Sequence, residues 1–200
     1  MDLLLAPAFS AWGSPFSWLE IAAFVMSVAM VFGNMRQSLW AWPLAAGASL
    51  LYALLFWQGQ LYGEAALQLF FVAMAAWGFA QWWRGRVQRT LTVRRMQARA
   101  WSLSLGAIAV GWPLLGYFLD TQTDSPLPYW DALPTVASVV ATVQLGRKYI
   151  ENWPFWVAIN GISIVLFALK AYWLTVLLYA AFIPLALWGW RAWAQARVAA

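Results

Sequence analysis

Arg147-Lys148-Tyr149-Ile150-Glu151-Asn152-Trp153-Pro154-Phe155-Trp156-Val157-Ala158-Ile159-Asn160 reads as a short basic turn that runs into an apolar helix ending near Leu169. Proline is tolerated in the first turn of a helix, where its missing N–H costs little. Trp153-Pro154 therefore marks a helix start. The same dipeptide, Trp42-Pro43, stands 111 residues earlier, and the match extends in both directions without a gap. Arg36 corresponds to Arg147, and Val25, Ser27 and Val28 correspond to Val136, Ser138 and Val139. Downstream, Leu55-Phe56 meets Leu166-Phe167, Phe71 meets Phe182, Trp77-Gly78 meets Trp188-Gly189, and Trp82 meets Trp193. Self-similarity at a fixed offset is the mark of a duplicated structural unit.

The composition around this repeat is that of a membrane protein. The chain has 200 residues, 64% hydrophobic and 10% charged, with 17 tryptophans. Soluble domains carry about 25% charged residues. Lipid, unlike water, can cover an apolar exterior. Seven hydrophobic segments are read at about Trp18–Met35, Leu39–Trp57, Tyr62–Trp83, Trp101–Leu119, Asp131–Gly146, Trp153–Leu169 and Tyr172–Trp193. Each is close to the roughly 20 residues that a crossing takes. Several begin or end with tryptophan, as in an interfacial belt. Asp2 stands where a signal peptide would be basic, so the first segment is expected to be a full span.

Much chemistry is closed off. Cysteine and histidine are both absent. Thiolate nucleophiles, imidazole catalysis and the usual zinc sites are excluded with them. The seven acidic residues are Asp2, Glu20, Glu64, Asp120, Asp124, Asp131 and Glu151, and all are read near the surfaces. A non-enzyme with no catalytic residue, metal or cofactor is expected. A solvated Glu64 at the start of segment three is favoured over a proton-coupling carboxylate.

Basic residues orient the chain. If the segments alternate, every lysine and arginine except Lys170 falls on one side. The positive-inside rule makes that side cytoplasmic, with the N-terminus outside and the C-terminus inside. Arg84, Arg86, Arg89, Arg94, Arg95 and Arg99 are explained by topology and by anionic lipid headgroups rather than by nucleic acid. Three segments form an odd number, so two directly joined copies would be inverted. Segment four restores the direction. The expected fold is an all-α, seven-helix membrane protein in a 3+1+3 arrangement with parallel repeats. Its parts are a first repeat (18–83), a basic loop (84–99), a linker helix (100–120) and a second repeat (121–193). Parallel repeats with a site at their interface near the midplane occur in carriers. A duplicated scaffold without a transport route is the competing reading from another class.

Differences between the copies suggest a binding site. Trp156 replaces Ala45, Asn160 replaces Ser49, and Tyr179 faces Gln68 in the comparison. Trp153, Trp156 and Asn160 follow i, i+3, i+7 spacing and share one helical face. Two indoles can flank a flat ring, and an indole face attracts a cation. An amide both donates and accepts hydrogen bonds. Interfacial placement of Trp153 and a helix–helix hydrogen bond from Asn160 remain open alternatives. Gln68 lies mid-segment three, and Ser138, Thr142 and Gln144 form a polar stripe on segment five. Such residues usually face the interior of a bundle, although the hydroxyls can instead bond their own helix.

With those residues in view, the chain resembles the Pnu-type vitamin transporters, and among them the nicotinamide riboside carriers. The likeness rests on Leu127-Pro128-Tyr129-Trp130-Asp131-Ala132, on Ser138, and on the quoted stretch through Trp153, Trp156 and Asn160. Trp42-Pro43, Leu61-Tyr62-Gly63-Glu64, Leu67-Gln68 with Phe71, and Trp77-Gly78 with Trp82 add to it. The resemblance implies a fold related to the SWEET sugar carriers, in a bacterial cytoplasmic membrane. It implies facilitated diffusion of the vitamin, trapped by intracellular phosphorylation, with no cofactor. It places Trp153 and Trp156 about the pyridinium ring, with Asn160 and Gln68 as hydrogen-bonding partners and Ser138 and Thr142 nearby. A homotrimer is implied by the resemblance alone. Ala141-Thr142 departs from the family pattern, where glutamine often follows the alanine, and so leaves thiamine and riboflavin as alternative vitamins.

Overall fold

The computed structural model describes residues 7–11, 14–58, 62–88, 91–123, 125, 127–169 and 173–198. Asp2, Leu61, Arg89, Asp124, Lys170 and the Glu64 side chain, all used in the sequence reading, lie outside the described parts. The chain divides into two compact units, Met1–Arg84 and Gly85–Ala200.

The first unit opens with a feature that hydropathy does not signal. Strands β1 (Pro7–Ala11) and β2 (Ser14–Ser17) pair antiparallel, with Phe9 opposite Phe16. Helix α1 (Trp18–Met35) follows at once. The Ser17 hydroxyl accepts from the Glu20 N–H at 3.2 Å, and the Glu20 carboxylate accepts from the Ser17 N–H at 2.8 Å. This reciprocal cap satisfies two orphan donors and gives Glu20 a structural task. Helices α2 (Ala41–Gln58) and α3 (Tyr62–Gln88) complete the three. The expected end of segment three at Trp83 is too short. The helix runs on to Gln88 and carries Arg84 and Arg86, because arginine and glutamine are good helix formers.

The second unit contains α4 (Ala98–Gln122), α5 (Pro128–Gly146), α6 (Asn152–Leu169) and α7 (Trp173–Val198). Helix α4 approaches α5 through small residues. A Cβ on Gly116 would lie 2.3 Å from the Tyr129 ring, and one on Gly111 would lie 2.9 Å from Val136. The Trp112 indole donates to the Tyr129 carbonyl at 2.7 Å. Ahead of α4, Arg94 forms a parallel bridge with the α5–α6 turn. Its N–H donates to the Lys148 carbonyl at 3.1 Å, and its carbonyl accepts from the Ile150 N–H at 3.0 Å.

The duplicated stretches take the same backbone path. Helix α1 ends with the Gln37 N–H donating to the Asn34 carbonyl and the Ser38 N–H donating to the Gly33 carbonyl. Helix α5 ends with Lys148 donating to Leu145 and Tyr149 donating to Gln144. Both are Schellman closures. Gln37 and Lys148 hold the left-handed position, at φ 52° and 53°, although neither is glycine. The first tryptophan of each Trp-Pro pair packs alike. Trp42 meets Trp82 edge-on at 5.4 Å, and Trp153 meets Trp193 edge-on at 5.6 Å. A Cβ on Gly78 would lie 2.2 Å from the Trp42 ring, and one on Gly189 would lie 2.4 Å from the Trp153 ring. Glycine is required at both positions for that close approach.

Among the described residues, four helices are long and apolar enough to cross a membrane: Trp18–Met35, Ala98–Gln122, Asn152–Leu169 and Val176–Arg197. Ala41–Leu55 is a shorter apolar helix. Helix α5 contains Asp131, Thr135, Thr142 and Gln144, and its buried positions recur from Ala132 to Gly146. Polar side chains at depth are tolerated on an enclosed helix. Helix α4 instead exposes Leu103, Leu105, Val110, Leu114 and Phe118. A large apolar exterior of this kind is the reverse of a water-soluble surface.

Candidate functional site on helix α6

The residues expected on one face of α6 have different surroundings. Trp153 is only 3% exposed. Its ring lies over Gly189 and against Trp193, as the Trp42 ring lies over Gly78 and against Trp82. The indole N–H groups of Trp42 and Trp153 are both buried without a partner. Trp153 is thus enclosed in the packing of α6 with α7, the position its repeat counterpart holds between α2 and α3.

Trp156, one turn on, is half-buried. It packs with Phe155 and Ile108 against a closed cluster of Ala137, Ala141 and Ile159. Trp101 adds a tilted contact to Phe155 at 5.9 Å between ring centroids. One further turn on, Asn160 is 5% exposed. Among the described residues its amide makes no hydrogen bond. Its amide atoms are not fully enclosed, so their unused donors and acceptor can meet a polar ligand.

Helix α5 packs beside α6 and brings Ser138 and Thr142 into the same unit. Both are half-buried. The Thr142 hydroxyl donates to the Ser138 carbonyl at 2.8 Å, the back-bonding that such hydroxyls commonly adopt. Thr142 can still accept a hydrogen bond. Gln144 is 2% exposed, with its Nε2 donating to the Ser104 hydroxyl at 3.2 Å and its Oε1 unpartnered. Gln68 belongs to the first unit, where it is half-buried on α3. The alanines beneath Trp156 carry no polar signature, so nothing in the sequence pattern pointed to them.

Basic groups gather at the end of the unit where α6 begins, while Asp120 and Asp131 lie near the end of α4 and the start of α5. Arg94 lies over the Tyr149 ring, with its guanidinium carbon 4.8 Å from the centroid. The Glu151 carboxylate accepts from the Met96 N–H at 3.0 Å. Burial, and then the nearby Arg86 guanidinium, hold the Lys148 ammonium below the ordinary lysine range. No lysine or arginine lies on α5 or α6 themselves. Among the described residues, no three acidic side chains converge as a metal site would require.

Known proteins share this pattern over most of its length. A family described as nicotinamide mononucleotide transporter matches residues 17–195. The chain is 28% identical over 219 residues to the nicotinamide riboside transporter PnuC of Escherichia coli K12, covering 96% of this chain and 91% of that one. It is 25% identical over 197 residues to the riboflavin/roseoflavin transporter RibM of Streptomyces davaonensis, covering 96% and 92%. A crystal structure of the vitamin B3 transporter PnuC aligns with a TM-score of 0.72 at 26% identity, covering 89% of this chain and 81% of that one.

Proposed function

Because the chain belongs to the nicotinamide mononucleotide transporter family, we propose that it is a carrier that takes up nicotinamide riboside. It is a multi-pass membrane protein, and its relatives are transporters rather than enzymes. The observation that carries the substrate assignment is the likeness, over nearly the whole chain, to relatives named as nicotinamide riboside transporters. The surroundings of Trp156 and Asn160 support it. A half-buried indole offers a face to a cationic ring, and a cation over an indole gains about 0.5–2 kcal/mol. The unused Asn160 amide suits a carboxamide or a hydroxyl. Helices α5 and α6 lack lysine and arginine, which favours the riboside over the mononucleotide. A phosphate adds about 1.5–2 negative charges near pH 7 and calls for cations in its site.

In this reading Trp156 stacks on the ring and Asn160 holds its polar edge. Ser138, Thr142 and Gln68 supply further acceptors and donors. Trp153 forms the wall at the base of α6, since its ring is enclosed. The helices form a 3+1+3, SWEET-like arrangement, with α1–α3 and α5–α7 as parallel repeats joined by the basic segment 84–99 and the linker helix 100–120. The paired Schellman closures and the paired tryptophan contacts support that duplication. All seven helices cross the cytoplasmic membrane, with the N-terminus outside and the C-terminus in the cytoplasm. Transport is facilitated diffusion, made one-way by phosphorylation inside the cell, and the carrier assembles as a homotrimer. Proton and sodium gradients should leave uptake into vesicles unchanged, and dependence on either overturns passive transport.

Riboflavin is the second reading, favoured by the likeness to the riboflavin/roseoflavin transporter. Thiamine, another flat cation, is the third candidate. Calorimetry on the purified protein with all three vitamins separates them. Binding heat from the riboside is expected. Riboflavin or thiamine binding without any riboside heat refutes the assignment.

A further inference from the structure

Bulk has been exchanged across one helix pair. On α5, Ala137 and Ala141 lie one turn apart, both buried, and with Ile159 form the cluster on which Trp156 packs. Their counterparts in the first copy are Met26 and Met30, and the counterpart of Trp156 is Ala45. The first unit therefore fills the contact from α1. Its Met26 Cε lies so close over Gly47 of α2 that a Cβ there would meet it at 2.2 Å. In the second unit α6 supplies the bulk as an indole, and α5 supplies the room. Protein interiors keep a nearly constant packing density. Duplicated helix pairs with the same turn between them then need similar filling, whichever helix provides it.

We propose that Ala137 and Ala141 are positioning residues for Trp156. Their short side chains leave the recess in which the indole lies, and so set the depth at which its face meets a flat, cationic ligand ring. This role rests on the stacking function proposed for Trp156. The coupling between positions 141 and 156 is nevertheless measurable with no ligand present.

The test compares the full-length protein with Ala141→Met, Trp156→Ala and the double variant. Ala141→Met overfills the recess and lowers the ligand-free melting temperature by about 2–10 °C. Trp156→Ala leaves a cavity and lowers it comparably. The double variant moves the bulk from α6 to α5, as the first copy carries Met26 and Met30 on α1 and Ala45 on α2, and recovers most of both losses. Simple addition of the two losses overturns the positioning role. Should Ala141→Met fail to fold, Ala141→Val makes the same comparison with a smaller step.

Riboside calorimetry and tryptophan emission give the second readout. Ala141→Met should weaken binding roughly tenfold or more and abolish the ligand-induced change in emission. The double variant should regain stability without regaining affinity. Coupled stabilities with no riboside heat from the unaltered protein support the positioning role and refute the riboside assignment. Riboside binding by the unaltered protein with additive stabilities does the reverse.

Discussion

Replacing Asn160 with leucine should separate a ligand contact from a structural one by the sign of its effect on stability. Asn160 is buried and its amide is not hydrogen-bonded within the described structure. An unsatisfied group costs at most about 1–3 kcal/mol when fully enclosed, and less where, as for Asn160, its atoms keep some access. Leucine has a similar volume and removes that cost. The ligand-free melting temperature should therefore hold or rise, by about 2–4 °C for each kcal/mol recovered in a chain of this size. Affinity should move the other way. Two hydrogen bonds to the riboside, each worth about 0.5–1.5 kcal/mol, correspond to a loss of roughly 5- to 150-fold. Both are read on detergent-purified protein, by thermal unfolding without ligand and by calorimetry with it. A fall in melting temperature with unchanged affinity would mean that Asn160 holds helices together, and the site assignment on α6 would fail.

Gly78→Ala and Gly189→Ala should each destabilise by about 1–3 kcal/mol, because either Cβ meets an indole ring at 2.2–2.4 Å. Similar losses in thermal unfolding are expected, and indifference at either site would refute the shared packing role of Trp42 and Trp153. Lys148→Met bears on the basic end of α6. The folded-state pKa of Lys148 lies below the ordinary value of 10.5, through burial first and Arg86 second. The folded form then gives up its proton before the unfolded form does, so the cost of the buried charge is full at neutral pH and fades as pH rises towards 10.5. Lys148→Met should exceed the unaltered protein in melting temperature at pH 7, with a gap that narrows on alkaline titration. A gap independent of pH would assign the effect to packing alone.

The helix ends that the sequence revealed most clearly are those with local causes. Trp42-Pro43 and Trp153-Pro154 stand at the starts of α2 and α6. The β1–β2 hairpin was not legible, because its pairing lies outside any hydropathy signal. Nor was the bridge from Arg94 to the α5–α6 turn, which joins backbones more than fifty residues apart. The i, i+3, i+7 spacing puts Trp153, Trp156 and Asn160 on one face, and only Trp153 of the two indoles has a tryptophan counterpart in the first copy. Packing divides them, with Trp153 enclosed by Gly189 and Trp193 and Trp156 packed against the cluster of Ala137, Ala141 and Ile159.

By itself, the sequence determined that this is an apolar, helical, duplicated chain with a family likeness to vitamin carriers. Those properties live in composition, span length and the recurrence of Trp-Pro and Trp-Gly at one offset. Only the tertiary structure decided how deeply each indole sits, with Trp153 enclosed and Trp156 half-buried. In a membrane the lipid tails are as apolar as the protein interior. Apolar side chains therefore do not reveal which way a helix faces, and the direction is settled only when a glycine, an alanine pair or an indole on a neighbouring helix leaves room for one side chain and not another.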